Sequence, residues 1–458
     1  MISVSGGFST KLNAQHSHPK LRLLFYEDIL TDTSIAFHEN SPSNDTITDS
    51  NNGFVAAGFQ AGDEIMVTGS ANSNNGYFTA LSVAAGTITL VSGDDIQDES
   101  AGASITIQVA RPGDYDSYVI AVSEIRRDAR LSTGSLTIRL ANTDGQWNNF
   151  ISTLTDIGKP VRVQLYWDGD TEYLNLFAGK IEDVDYVGAE CILKVKDKFA
   201  DLMEVEVGSG QSPVQTYAGL TISPGDLAWA LLTDDTINDQ ALDDTADATN
   251  IDIDYAAWSA WDSYCDGRSF ELRARITGQT IRHLLSEIAY LTDSYISVNA
   301  DGKLDFHPTF NTATGQAFTV SNCLEIDLDI DMRDICNKFQ CFYNYNAYSD
   351  FWPASYTDTD STSQTNYGKR SVVEEGKVIW HADQTSADNM TEDKMTNWKN
   401  PIKYGKITTN AKGLLTEIGD EVTVTESLKG LSSGTLRIEA IESIRIPELT
   451  VSMIGRIV

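Results

Sequence analysis

The chain is poor in the features that would tie it to a disulfide framework, a bilayer or a nucleic acid. Its 458 residues include five cysteines, Cys191, Cys265, Cys323, Cys336 and Cys341. They are odd in number and scattered, which points to reduced thiols and assembly in a cytoplasm. Cys336 and Cys341 lie close together, but no histidines cluster beside them. That is a poor zinc pattern, and both read as small core residues. No run of 18 apolar residues exists, so no integral membrane segment is expected. The opening Met1-Ile2-Ser3-Val4-Ser5-Gly6-Gly7 lacks the charged-then-apolar order of a secretory signal.

Positive charge is the other shortage. Lys and Arg total 33 against 66 Asp and Glu, a formal charge of −33. No Lys or Arg occurs from Leu23 to Ala110, a stretch with twelve acids, or from Phe199 to Gly267, a stretch with fourteen. A nucleic-acid groove needs clustered cations, so that class is disfavoured. An acidic surface suits a passage that DNA crosses without sticking, and it equally serves solubility.

What is abundant is Thr, Ser, Asn, Asp and Gly, which favours strands joined by tight turns. Leu136, Ile138 and Leu140 share one face of a strand, and Val161–Trp167 alternates in the same way. Thr31–Gly53 is polar and reads as a linker or long loop. Phe54–Val109 reads as a small β module, with Gly62-Asp63-Glu64 feeding one of its strands. The same Gly-Asp-Glu turn recurs at Gly419. Pro224–Leu232 reads as a helix with Pro in its first turn. Ile281, Leu284, Leu285, Ile288 and Leu291 fall at helical spacing, which predicts an amphipathic helix over Gln279–Thr292. A hairpin is expected around Asp301-Gly302. Met390, Lys394 and Trp398 suggest a helix that Pro401 ends. Thr233–Gly267 is acidic and aromatic without periodicity.

The expected fold class is mainly β with a smaller α+β part. Residues 1–30 with 113–207 form a first β-barrel-like domain. Residues 31–112 form an inserted acidic β module, 208–323 a mixed α/β middle domain, and 324–458 a second β-barrel-like domain with a helical insertion near 385–400.

Four local patterns then resemble a known family. The first is Gly134-Ser135-Leu136-Thr137-Ile138-Arg139-Leu140-Ala141-Asn142-Thr143-Asp144-Gly145. The second is Phe177-Ala178-Gly179-Lys180-Ile181-Glu182-Asp183-Val184 with Val195-Lys196-Asp197. The third is Ile281–Ala289 followed by Asp301-Gly302-Lys303-Leu304-Asp305-Phe306-His307-Pro308. The fourth combines Ile335-Cys336-Asn337-Lys338-Phe339, Tyr367-Gly368-Lys369-Arg370, Asn400-Pro401 and Ile418-Gly419-Asp420-Glu421-Val422. Their order resembles the tail hub or baseplate hub proteins of tailed phages and their prophage relatives. It covers about three quarters of the chain from Tyr118 onward; the acidic insert is not part of it.

The resemblance implies two tail-tube-type β-barrel domains per chain and a homotrimer forming a pseudo-six-fold collar. Such a collar joins the tail tube to distal tip, fibre or tape-measure proteins and lets DNA pass through its channel. It implies a virion location at the tail tip or baseplate, after assembly in the host cytoplasm, and a structural protein rather than an enzyme.

The candidate chemistry is sparse. His16 and His18 would share a strand face, and three copies could offer six imidazoles to a transition metal; a terminal His pair before Pro19 is the plainer reading. Asp234, Asp235, Asp239, Asp243, Asp244, Asp247, Asp252 and Asp254 are dense enough for calcium but lack EF-hand spacing, and read as a solvated acidic loop. Trp258 and Trp261, with Tyr255 and Tyr264, suggest a sugar platform or, more plainly, packing. No phosphate loop, no His-Glu-x-x-His and no nucleophile elbow is expected. No catalytic, cofactor or metal residue is therefore assigned. The competing readings are a carbohydrate-binding, receptor-recognising adhesin of the tail tip and a hub-attached cell-wall hydrolase.

Overall fold

The structure is a computed structural model. It describes all residues except 1, 3–4, 14–18, 41, 73, 95, 111–115, 129–130, 132–133, 146, 148–156, 168–172, 208–220, 235–240, 243–245, 247–249, 251, 277, 309–313, 333, 347–350, 375, 377, 427–430 and 447. It is mostly β, 47% strand and 21% helix, with a nearly closed barrel and a half-barrel.

Alternation sets the first sheet. Leu136, Ile138 and Leu140 are buried while Ser135 and Arg139 face out. The sheet runs in the order Lys20–Phe25, Pro160–Tyr166, Leu174–Val187, Glu190–Asp197, Ser135–Ala141, Val119–Val122. The terminal sheet has Thr314–Thr319, Glu421–Glu426, Leu431–Arg445, Thr450–Ile457, Ile402–Thr409 and Cys323–Asp331. Its seventh strand comes from far away. Ile125–Asp128, between two strands of the first sheet, pairs antiparallel with Leu431–Arg445 in the register Ile125↔Ile444 and Arg127↔Ile441. The two sheets consequently share one apolar core, in which Ile138 and Leu193 belong to the same cluster as Ile438 and Met453.

The insert has its own core. Seven strands run Glu27–Asp32, Ile105–Ala110, Glu64–Thr68, Gly76–Ala84, Thr87–Leu90, Thr46–Asp49, Ile35–His38 around Phe37, Phe54, Ile65, Ile88 and Ile107. The expected loop at Thr31–Gly53 is therefore corrected. It contains two strands whose apolar residues, Ile35, Phe37 and Ile47, alternate with polar ones and are buried. Its many Asp, Asn and Ser residues misled, because Asp49 caps its own turn. The Asp49 carboxylate accepts from the Asn51 N–H at 2.9 Å and the Gly53 N–H at 2.6 Å.

The middle is built on the helix Ile281–Leu291. Thr280 caps it, accepting from the His283 N–H at 3.3 Å. Ile281, Leu284, Leu285, Ile288 and Leu291 are buried, each contributing about 1.5–3 kcal/mol relative to exposure. The hairpin Ser294–Val298/Leu304–Pro308 follows. A further helix, Tyr255–Gly267, forms within the stretch that lacks periodicity; Asp254 caps it, accepting from the Ala257 N–H at 3.2 Å. Its Ala, Ser and Asp residues give little amphipathic contrast.

The division at residue 323/324 does not follow the cores. Phe339, Cys341, Ile379, Met390 and Met395 pack with Leu284 and Phe306 of the middle. Ile379–His381 also pairs with Leu272–Ala274 of that unit. Thr314–Thr319 instead joins the terminal sheet, parallel to Glu421–Glu426. The chain thus leaves the terminal sheet after Asp331, completes the middle core, and returns at Ile402.

Candidate assembly interface

The four stretches singled out in the sequence meet in space. Asp197 N–H donates to the Gly134 carbonyl at 2.9 Å, closing the first stretch on the second. The second packs on the third at Gly302, whose φ is +74°. A Cβ there would lie 2.5 Å from the Ala178 Cβ, so this approach requires glycine. Asn175 Nδ2 donates to Asp301 Oδ1 at 2.5 Å beside it. The third meets the fourth where His307 covers Gly419, φ +86°, an added Cβ lying 2.9 Å from His307 Cγ.

Within the fourth, buried Asn337 acts as a clamp. Its Nδ2 donates to the Gly368 carbonyl at 2.8 Å and to Ser363 Oγ at 3.1 Å, and its Oδ1 accepts from the Arg370 N–H at 2.7 Å. Cys336 N–H donates to the Trp398 carbonyl at 2.8 Å, next to Asn400-Pro401. These patterns are the joints that hold first sheet, middle hairpin and terminal sheet in one arrangement.

The two Gly-Asp-Glu turns are built alike. Gly62 and Gly419 both have positive φ. Asp63 Oδ2 accepts from the Gln60 N–H at 2.7 Å and Asp420 Oδ2 from the Glu417 N–H at 2.9 Å.

The seam between hairpin and sheets is charged. His307 Nε2 lies 2.7 Å from Asp305 Oδ2. Burial works against the His307 charge, but the Asp305, Glu417 and Asp420 carboxylates outweigh it and raise its pKa. Burial raises Glu417, and it pushes Asp197 up to about 6. Arg127, from the exchanged strand, donates through Nη2 to the Leu176 carbonyl at 2.6 Å.

A second charged node fixes the insert to the first sheet. Glu64 of the insert accepts from Arg22 Nη2 at 3.2 Å, Arg162 Nη1 at 3.0 Å and Tyr26 Oη at 2.6 Å. Arg22 also lies over the Tyr173 ring at 4.0 Å, and Arg162 over the Tyr77 ring at 4.4 Å.

The outer edge of the terminal sheet is Cys323–Asp331, which pairs with Ile402–Thr409 on one side. Leu324 is 68% exposed, Ile330 59% and the preceding Val320 65%. These are exposed apolar side chains concentrated at one end of the described strand order. Glu325, Asp327 and Asp329, on the alternate face, are exposed acids.

The other sequence candidates scatter. His16, His18, Asp235, Asp239, Asp243, Asp244 and Asp247 lie outside the described residues. Asp252 pairs with Lys198 at 2.8 Å, and Asp254 is the helix cap. Trp261 is fully buried and donates to Ser294 Oγ at 2.8 Å, so it offers no face to a sugar. Trp258 packs on Trp229 and Tyr255, and Tyr264 on Phe270. All five cysteines are free thiols, and burial raises the Cys341 thiol to about 12. No group of three His, Cys, Asp or Glu side chains suited to a metal occurs among the described residues. One Gly-x-Ser-x-Gly spacing, Gly430-Leu431-Ser432-Ser433-Gly434, does occur, against the expectation of none. Leu431–Arg445 is a single strand, so Ser432 is not on the strand-to-helix turn that a nucleophile elbow needs. The clamp at Asn337 and the exposed strand at Leu324 leave no local sequence signal, because their partners lie far away in sequence.

No family model matches the sequence, and no curated protein matches it. Its structural neighbours are prophage tail proteins. The 43 kDa tail protein of prophage MuSo2 from Shewanella oneidensis has 16% identity and a TM-score of 0.44, the match covering 86% of this chain and 98% of that one. A tail protein from Neisseria meningitidis MC58 has 12% identity and a TM-score of 0.44, covering 86% and 96%. Prophage tail protein gp18 from Listeria monocytogenes EGD-e has 13% identity and a TM-score of 0.44, covering 76% and 90%.

Proposed function

We propose that this chain is a structural tail hub or baseplate subunit of a phage-like particle. In this reading three copies form a pseudo-six-fold collar between the tail tube and distal tip, fibre or tape-measure proteins, with a channel for DNA. The observation that carries it is two β sheets around one shared apolar core, linked by the exchanged strand Ile125–Asp128. Two such sheets per chain are what a six-fold tube needs from a trimer. The resemblance in the sequence falls on the joints that fix this arrangement.

No catalytic role is assigned, and the domain scheme of two barrel-like units, a middle unit and an insert is part of the same proposal. Electron microscopy of assembled particles tests it: three copies per ring are expected, and six would overturn it.

A further inference from the structure

A cavity of about 360 Å³ lies between the helix Ile281–Leu291, the strands Lys338–Tyr343 and Ile379–His381, and the helix Gln384–Trp398. Leu291, Cys341, Ile379 and Met390 make a buried apolar floor. The mouth is acidic. Glu374 Oε1 accepts from the Tyr290 hydroxyl at 2.8 Å, and Glu287 Oε1 lies 3.3 Å from His283 Nε2. No Lys or Arg is among the described lining residues.

His381 also lines this cavity, is fully buried, and has no hydrogen-bond partner at Nε2. Its Nδ1 lies 2.6 Å from Ser386 Oγ. That oxygen accepts from the Glu271 N–H at 3.1 Å and donates to the Glu271 carbonyl at 3.1 Å. A hydroxyl has one proton, so all three contacts are satisfied only if Nδ1 carries the imidazole proton and donates it. Nε2 is then a bare lone pair. Burial holds the ring neutral, with its pKa pushed down to about 3. A buried acceptor without a donor costs stability until a donor reaches it.

We propose that this cavity binds a small arylalkyl amine, its ring N–H donating to His381 Nε2 and its ammonium group held by Glu287 and Glu374. The apolar floor takes the ring, and the Met390 thioether suits an aromatic edge. The inference goes beyond the hub reading and does not depend on it.

Calorimetric titration of the full chain with tryptamine tests it. Phenethylamine, which lacks the ring N–H, and 3-ethylindole, which lacks the ammonium, serve as comparators. Saturable tryptamine binding is expected, with each comparator about fivefold to tenfold weaker. His381→Phe should lower tryptamine to the level of phenethylamine. Glu374→Gln keeps an acceptor for Tyr290 and should lower it toward 3-ethylindole. No saturable binding at millimolar tryptamine, or binding unchanged in Glu374→Gln and equal for all three probes, overturns the proposal. Both outcomes are readable even if His381→Phe does not fold.

Discussion

Asn337 shows how much one side chain can hold. Its amide satisfies Gly368, Ser363 and Arg370 from the interior, where each partner would otherwise lose its hydrogen bond. Asn337→Ala is expected to cost about 1–2 kcal/mol by urea unfolding, because it removes the hydrogen bond to buried Ser363 and the two that tie down Gly368 and Arg370. Asp197 and His307 make the seam sensitive to pH. The folded pKa of each is raised: Asp197 from 3.8 to about 6, His307 above 6.5. A raised folded pKa contributes stability below the unfolded value and loses it as pH climbs through the folded value. The seam therefore adds stability as pH falls from about 8 to about 6, while His381, pushed down to about 3, subtracts from it, so the seam is read from the difference between the parent and Asp197→Asn. Asp197→Asn should be more stable than the parent at pH 8, by on the order of 1–2 kcal/mol, and should show a flatter profile. A parent that gains no stability relative to Asp197→Asn over that interval would refute the assignment.

Single elements divide into those announced by local pattern and those made by distant partners. The helix Ile281–Leu291 and the hairpin at Asp301-Gly302 were legible, since their apolar spacing and turn residues are contained in the stretch itself. Ile125-Arg126-Arg127-Asp128 was not. It has no alternation, and its partner strand lies more than three hundred residues on, the Glu124–Arg445 ion pair alone spanning 321 positions. The candidate joints were visible as four separate patterns; that Gly302 meets Ala178 and His307 meets Gly419 could be read only from the fold. The insert is an element of another kind. It leaves and returns through paired strands, Glu27 opposite Val109, and has a core of its own. Replacing residues 27–110 with a two-residue turn should leave a cooperatively melting protein, checked by circular dichroism and calorimetry. Keeping the insert but changing Glu64→Gln should do more harm, about 2–4 kcal/mol, because Arg22 and Arg162 then stay buried without their counterion.

At the scale of the whole molecule, charge and assembly oppose each other. Every copy in the proposed ring would bring −33, so repulsion between copies would be long-ranged at low salt. Self-association should tighten as salt rises from about 50 mM to about 500 mM, measured by sedimentation; weakening with salt would mean that ion pairs dominate the contact. The exchanged strand has a further consequence, for synthesis. A chain emerging from the ribosome makes Ile125–Asp128 early and must keep it unpaired until Leu431–Arg445 has been translated. All strands of the first sheet are made by residue 197, but the core it shares with the terminal sheet closes only later, so folding is committed late, with high contact order. Truncated chains that stop before residue 431 would carry that strand bare, and are the species for which a chaperone would matter most.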